Sequence, residues 1–242
     1  MKLLPLDQFK LVFTILYSIT VGVLVLAGVE IPKDVQNVLI VLTHIPAVAL
    51  VVVLWNTMWV SITVGIGAVI SVVFHIAVIY NWNVNKFEPL DIANANLTLF
   101  LIGIMVIYKK IPEWTLPLLF TMTIIYTNFW ESQLVYLGIS SLFNAGITLY
   151  VIYRICNPTR ARDTGFMVLA LVVGIIGTGF FLLDGIHTSK NYAILHSVWH
   201  VCSYSAMYFM LRSTNINSIR VPRTDFTPDY TNILAYKGDF KH

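Results

Sequence analysis

The stretch "SITVGIGAVISVVFHIAVIY", residues 61–80, decides the fold class of this chain because it holds no Asp, Glu, Lys or Arg. An α-helix of roughly 20 such residues crosses the hydrocarbon core of a bilayer, which is about 30 Å thick. The whole chain has the same character, with 57% of its 242 residues hydrophobic, 11% charged and a mean hydropathy of +0.78. Soluble domains carry about 25% charged residues. The sequence therefore predicts an all-α integral membrane protein.

Outward from this stretch, long apolar runs alternate with short polar links, and we predict eight membrane spans. Their boundaries are 9–28, 37–54, 58–80, 91–108, 114–130, 134–155, 165–183 and 191–211. The first run is longer than the apolar core of a signal peptide and has no clear cleavage site after it. We expect it to be a retained helix, with a removed signal as the alternative.

The basic residues predict the orientation of these spans. With eight spans, twelve of the fifteen Lys and Arg residues fall on the side that holds both termini, and Lys33, Lys86 and Lys190 fall on the other. Cytoplasmic loops carry such an excess of basic residues, so we expect cytosolic N- and C-termini. No basic block suggests nucleic acid as a partner. The polar stretch at 212–242 predicts a flexible cytosolic tail.

This topology gathers five polar residues in one layer near the outer boundary of the membrane. Ser71 and His75 lie one turn apart towards the outer end of the third span, and Asp91 opens the fourth. His196 and His200, in "LHSVWH", occupy the first turns of the eighth span. Ionisable groups are costly inside a membrane and usually mark a functional site.

The residue types in this layer favour a metal centre. Three histidines can supply three nitrogens to Zn²⁺ and leave the fourth tetrahedral position for water or substrate. We therefore predict His75, His196 and His200 as zinc ligands. Asp91 would orient the water or take its proton, with the metal lowering the pKa of that water to about 7. Ser71 would hydrogen-bond beside the metal or contact a substrate carbonyl.

Several other polar residues have simpler interpretations. For His44, which precedes Pro46 by two residues, a structural or substrate-facing role is favoured over ligation. For Asn94 and Asn96, hydrogen bonds between helices are favoured over a role in lining a cavity at the metal centre. The only two cysteines, at 156 and 202, are expected to be free, packed thiols.

At these residues the sequence resembles the CREST superfamily of seven-helix membrane hydrolases, which includes the alkaline ceramidases and the adiponectin-type receptors. The matching motifs are "SVVFH" with Ser71 and His75, "PLDIANA" with Asp91, and "HSVWH" with His196 and His200. The "NYAILHSVWH" stretch is most similar to the branch with the transmembrane-protein-8 proteins and myomaker. The resemblance covers roughly residues 37–211.

The resemblance implies a seven-helix core at 37–211 that binds zinc, preceded by an additional helix and link at 1–36 and followed by the tail. It also implies hydrolysis of a lipid acyl amide or ester, with Ser71 and Asp91 supporting a bound water. The additional helix departs from the seven-helix pattern. We also expect no large ectodomain before the core, unlike the relatives that act on GPI lipids.

Function therefore stays open between different classes of protein. The leading hypothesis is a zinc-dependent hydrolase whose lipid substrate enters from the bilayer. A second is a non-catalytic receptor or membrane-remodelling protein in which zinc ties helices together. A haem b electron carrier with bis-histidine ligation is a third, more remote hypothesis, and a transporter is a further one.

Overall fold

The computed structural model describes residues 6–54, 58–80, 82, 88–108, 115, 117–118, 121–122, 133–158, 161–186 and 191–214. These residues form helices and no strands, which confirms the predicted all-α class for this part of the chain. The helices are α1 (Leu6–Leu26), α2 (Lys33–Leu42), α3 (Ile45–Val53), α4 (Met58–Ile79), α5 (Glu88–Tyr108), α6 (Gln133–Cys156), α7 (Ala161–Ile186) and α8 (Tyr192–Ser213). The predicted span at 114–130 and the tail at 212–242 lie largely outside the described residues.

Four helical segments are long and apolar enough to cross a membrane. They are Lys33–Val52, Val60–Ile79, Leu90–Tyr108 and Thr164–Leu183. The apolar part of α1, Lys10–Leu26, is shorter. The eight-span count and the orientation of the termini remain predictions.

Helix α1 ends at a glycine for a conformational reason. Gly28 has φ +96°, in the left-handed region that glycine enters without a Cβ clash. The Gly28 N–H donates to the Val25 carbonyl at 3.1 Å, and the Val29 N–H donates to the Leu24 carbonyl at 3.0 Å. These two bonds form a Schellman cap, which turns the chain towards α2.

The span predicted at 37–54 is divided into α2 and α3, and Pro46 is the cause. Proline has no N–H, and its ring clashes with the carbonyl four residues earlier, so a helix breaks just before it. The Ala47 N–H accordingly donates to the His44 carbonyl, three residues back, at 2.9 Å. The break falls at Thr43 and His44, between the two helices.

Helix α8 is the centre of the fold. It packs against α1, α2, α3, α5 and α7, and with α7 it forms an antiparallel hairpin. Fifteen of its 22 residues are buried, among them His196, Ser197, His200 and Ser205. Because protein rather than lipid surrounds this helix, it can carry polar side chains that a lipid-facing helix does not tolerate.

The hairpin is close-packed at Gly177 of α7. A Cβ placed on Gly177 would stand 2.7 Å from the Cβ of Cys202 in α8. Such a separation lies well inside van der Waals contact, so only a residue without a side chain allows this approach. Since Cys202 is two residues after His200, the contact fixes the depth and position of the histidine-bearing part of α8.

Candidate metal centre

Three histidines from separate segments meet in the interior. His44 comes from the break between α2 and α3, His75 from α4 and His200 from α8. One ring nitrogen from each lies within 4.8 Å of the others. Their side chains are 4%, 0% and 3% exposed, respectively. A buried group of this kind could hold a metal ion, and we call His44, His75 and His200 the histidine group.

The helix break orients His44 in a particular tautomer. In an unbroken helix the Ile40 carbonyl would accept from the His44 backbone N–H, but that N–H instead donates to the Val41 carbonyl at 3.3 Å. The Nδ1 atom of His44 takes over part of this role, lying 3.1 Å from the Ile40 carbonyl oxygen and 3.3 Å from that of Val41. A carbonyl only accepts, so Nδ1 carries the proton and Nε2 bears a free lone pair.

The lone pair of His44 meets a hydroxyl from α4. Ser71 donates a hydrogen bond of 2.8 Å from its Oγ to His44 Nε2. Ser71 is 3% exposed, and its contact joins the break between α2 and α3 to the centre of α4. The sequence placed Ser71 beside His75 as a hydrogen-bonding partner near the metal; the structure places its hydroxyl on His44.

His75 and His200 face each other through their Nε2 atoms, which are 3.0 Å apart. Either one nitrogen carries a proton and donates to the other, or both lone pairs point at a shared cation. Two nitrogens bound tetrahedrally to one zinc, at 2.0–2.1 Å each, would stand about 3.3 Å apart. The observed separation is therefore close to that required of two ligands of one zinc ion.

His196 lies beside the histidine group but is not one of the three whose nitrogens converge within 4.8 Å. Its ring centroid is 4.9 Å from that of His75 and 4.7 Å from that of His200. The sequence predicted His196 as the third ligand and a structural or substrate-facing role for His44. In the structure it is His44 that completes the group.

Aromatic side chains enclose these imidazoles. Tyr204 stacks on His200, with ring planes 13° apart and ring centroids 6.0 Å apart. The ring centroid of Trp199 lies 4.6 Å from that of His200. Tyr192 stacks on His196 at 4.9 Å. Aromatic walls exclude bulk water, and a drier site strengthens the electrostatic interactions within it.

Asp91 is buried near the start of α5, with 7% of its side chain exposed. Helix α5 packs against α4 and α8, the two helices that carry His75 and His200. The carboxylate therefore belongs to the same interior region as the histidine group. Carboxylates are seldom buried without partners because desolvation of the charge is costly.

The donor set fits a zinc ion better than a hard cation. All three donors are imidazole nitrogens, which suit zinc, copper, iron or nickel, whereas magnesium and calcium prefer oxygen. The His44 Nδ1 bond to the Ile40 carbonyl is the kind of outer contact that orients histidine ligands in metal sites. The nitrogens also come from three different segments, so a bound ion would tie α2, α4 and α8 together.

A small cavity lies between α1, α2 and α8. Two of its lining residues, Thr43 and Ser197, are the sequence neighbours of His44 and His196. Its volume is about 160 Å³. Ten residues line it: Tyr17, Ser18, Val21, Ile31, Val35, Leu39, Thr43, Ile194, Ser197 and Val198. The hydroxyls of Thr43 and Ser197 already donate to backbone carbonyls of their own helices, so the wall offers an apolar surface.

Within the described part of the chain, the side-chain amides of Asn94 and Asn96, which were predicted to bond between helices, donate inside α5. Asn94 donates to the Leu90 carbonyl at 2.7 Å and Asn96 to the Ile92 carbonyl at 2.9 Å, both within α5. Both cysteines are free thiols, as predicted. Cys202 is buried, whereas Cys156 is exposed, so the predicted packing is wrong for Cys156.

Comparison with protein-family models, with curated proteins and with solved structures gives no match to this chain.

Proposed function

We propose that this chain is a zinc-dependent membrane hydrolase of a lipid acyl amide or ester. One observation carries the proposal: three deeply buried imidazoles from three segments converge within 4.8 Å in an apolar helical protein. Burial of several ionisable groups at one place is expensive in a membrane protein and usually serves a function. The motif resemblance to the CREST superfamily supports the same reaction class. Membership of that superfamily is itself part of the proposal.

Zinc is the metal proposed because three nitrogen ligands match its catalytic sites, which keep a fourth position open. When bound, such an ion polarises a carbonyl and makes a bound water acidic near neutral pH. His75 and His200 are the two ligands proposed first, because their Nε2 atoms already lie 3.0 Å apart.

The chain itself would supply proton transfer, positioning and exclusion of water. Asp91 is assigned the proton-transfer role, as a buried carboxylate on the helix that packs against α4 and α8. Ser71 supplies a buried hydroxyl beside the imidazole of His44, suited to donate to a substrate carbonyl oxygen. Tyr204 and Trp199 would keep bulk water from the reacting groups.

A lipid is the proposed substrate class because of what surrounds the site. The four apolar segments would place the histidine group within the bilayer, where acyl chains are the surrounding molecules. The cavity between α1, α2 and α8 measures about 160 Å³, and an apolar cavity of roughly 150 Å³ holds a molecule the size of benzene. A segment of about six carbons of an acyl chain would fit.

A second candidate is a non-catalytic zinc-stabilised receptor or membrane-remodelling protein. The near-complete burial of His44, His75 and His200 favours it, because structural zinc sites are closed whereas catalytic ones keep a position open. The same ligands serve both functions, so the ligand set does not separate them.

The test measures both metal content and turnover on the same detergent-purified full-length protein. We expect about one zinc per chain by elemental analysis and release of fatty acid from a panel of lipid amides and esters. Asp91→Asn should abolish release and keep the zinc, because a neutral amide cannot accept the proton. Zinc without any turnover in the wild type would favour the structural candidate. A zinc-free, folded wild type would refute both, and a Soret band would indicate haem.

A further inference from the structure

We infer that His44 is the third metal ligand, together with His75 and His200. This inference rests on the proposed zinc site and specifies its ligand set. It differs from the set His75, His196 and His200 that the sequence motif suggests. The histidine group, rather than the motif, has its nitrogens within 4.8 Å of one another.

The first argument is the tautomer of His44. Its Nδ1–H is held by the Ile40 carbonyl at 3.1 Å, and this leaves Nε2 as the only nitrogen with a lone pair. A metal ligand must be a neutral imidazole with one bare nitrogen, and its other N–H is generally held by an acceptor such as a backbone carbonyl. His44 meets both requirements.

The second argument is the position of that nitrogen. His44 Nε2 is the atom that accepts from Ser71 on α4, the helix that also carries His75 one turn further on. The His44 ring centroid is 4.3 Å from that of His200 and 5.5 Å from that of His75. The Nε2 atom of His44 therefore faces the interior shared with the other two imidazoles.

The third argument is that the break before Pro46 creates this arrangement. In a continuous helix the backbone N–H of His44 would occupy the Ile40 carbonyl, and Nδ1 would compete with it for that acceptor. Because the N–H is redirected to Val41, the ring shares the Ile40 carbonyl only with the Thr43 hydroxyl, which donates to it at 2.9 Å. Pro46 thus acts as a positioning residue for the ligand.

Ser71 donates to the lone pair of His44 Nε2 that a metal would take. The buried nitrogen is then never without a partner, which avoids the cost of an unsatisfied buried polar atom. Metal binding would exchange the Ser71 bond for ligation and free the hydroxyl to turn towards the other ligands of the ion.

The test compares His44→Asn with His196→Ala, a histidine beside the group but not within it. An asparagine amide can still donate to the Ile40 carbonyl, so the substitution preserves the local fold and removes the ligating nitrogen. Zinc affinity would be measured by competition with a chelator on purified full-length protein. X-ray absorption would count the imidazole ligands.

We expect His44→Asn to weaken zinc binding about 100-fold, with the loss of one imidazole from the metal shell. His196→Ala should keep three imidazoles in the metal shell and should weaken zinc binding much less than His44→Asn does, because it removes a neighbouring ring and not a ligand. Full zinc binding by His44→Asn with loss by His196→Ala would overturn this inference and leave the proposed function standing. A wild type that binds no zinc would overturn both.

Discussion

The Nε2 atoms of His75 and His200 lie 3.0 Å apart, although 125 positions separate the two residues in the chain. Helix α4 supplies the first and α8 the second, and neither side chain is more than 3% exposed. Two buried imidazoles at this distance share either a proton or a cation. The pair is therefore where a metal would most directly change the stability of the fold.

Zinc should stabilise the wild-type protein through this pair. A ligand that binds only the folded state at 100 times its Kd raises the free energy of unfolding by about 2.7 kcal/mol. We expect that gain from zinc in the wild type and little of it in His75→Ala or His200→Ala. Thermal unfolding with and without metal measures the effect.

Magnesium is the control for that experiment, because it prefers oxygen ligands and should stabilise none of the three proteins. An equal gain from zinc in the wild type and both variants would show that the ion binds elsewhere.

Removal of the Ser71 hydroxyl should strengthen zinc binding if His44 is a ligand. Ser71→Ala leaves His44 Nε2 unsatisfied in the metal-free protein only, at a cost of about 1–3 kcal/mol. The metal-bound protein no longer needs that bond, so zinc affinity should rise at least about fivefold as the metal-free protein loses stability.

Chelator competition and thermal unfolding of the metal-free protein measure the two effects of Ser71→Ala. Unchanged zinc affinity, with the same loss of stability, would mean that the Ser71–His44 bond persists when metal binds. Cys202→Ser, a substitution at another buried residue outside the group, controls for general effects of altered packing.

Replacement of Pro46 should disturb the ligand without removing it. Pro46→Ala restores a backbone N–H and lets α2 and α3 join, which returns the Ile40 carbonyl to the His44 N–H. The imidazole then loses its outer contact, and loss of such contacts costs about 10–100-fold in metal affinity. Chelator competition again measures the change.

Pro32→Ala is the matched control, because Pro32 precedes the first residue of α2 and interrupts no helix. If both proline variants kept wild-type affinity, the break would have no part in positioning His44.

The helical class and part of the site follow from sequence because they depend on local pattern and composition. Apolar runs of spanning length predict helices, and the topology predicted from those runs and from the basic residues placed His75 and His200 in one layer. His44 was not predicted as a group member, since ligation depends on its backbone break and ring direction rather than on spacing. The one available signal was Pro46, two residues after His44. It predicts a helix break but not the contact between the Ile40 carbonyl and the His44 ring.

The interior position of α8 also could not be deduced from its own sequence. Its serines, histidines and Tyr204 make it more polar than the four apolar segments, and only its neighbours explain why such a helix is stable. Likewise, Ser71 lies one helical turn from His75, and the sequence predicted that it hydrogen-bonds beside the metal or contacts a substrate carbonyl. The Ser71 hydroxyl instead bonds to a residue 27 positions earlier.

The contact between α7 and α8 gives the last prediction, with two glycines of α7 as a matched pair. A Cβ at Gly177 would meet the Cys202 Cβ at 2.7 Å and the Ser203 backbone nitrogen at 3.7 Å, whereas a Cβ at Gly179 would meet nothing within 4 Å. Gly177→Ala must therefore push α8 away, and overpacking of this kind costs about 1–3 kcal/mol. Gly179→Ala should be neutral or stabilising by up to about 1 kcal/mol, because alanine favours the helix.

Since His200 lies two residues before Cys202, Gly177→Ala should also weaken zinc binding, and Gly179→Ala should not. Thermal unfolding and chelator competition on both variants measure the two effects. A Gly177→Ala protein that is destabilised yet binds zinc with wild-type affinity would show that the histidine group tolerates movement of α8. Equal behaviour of the two variants would contradict the close packing of the hairpin itself.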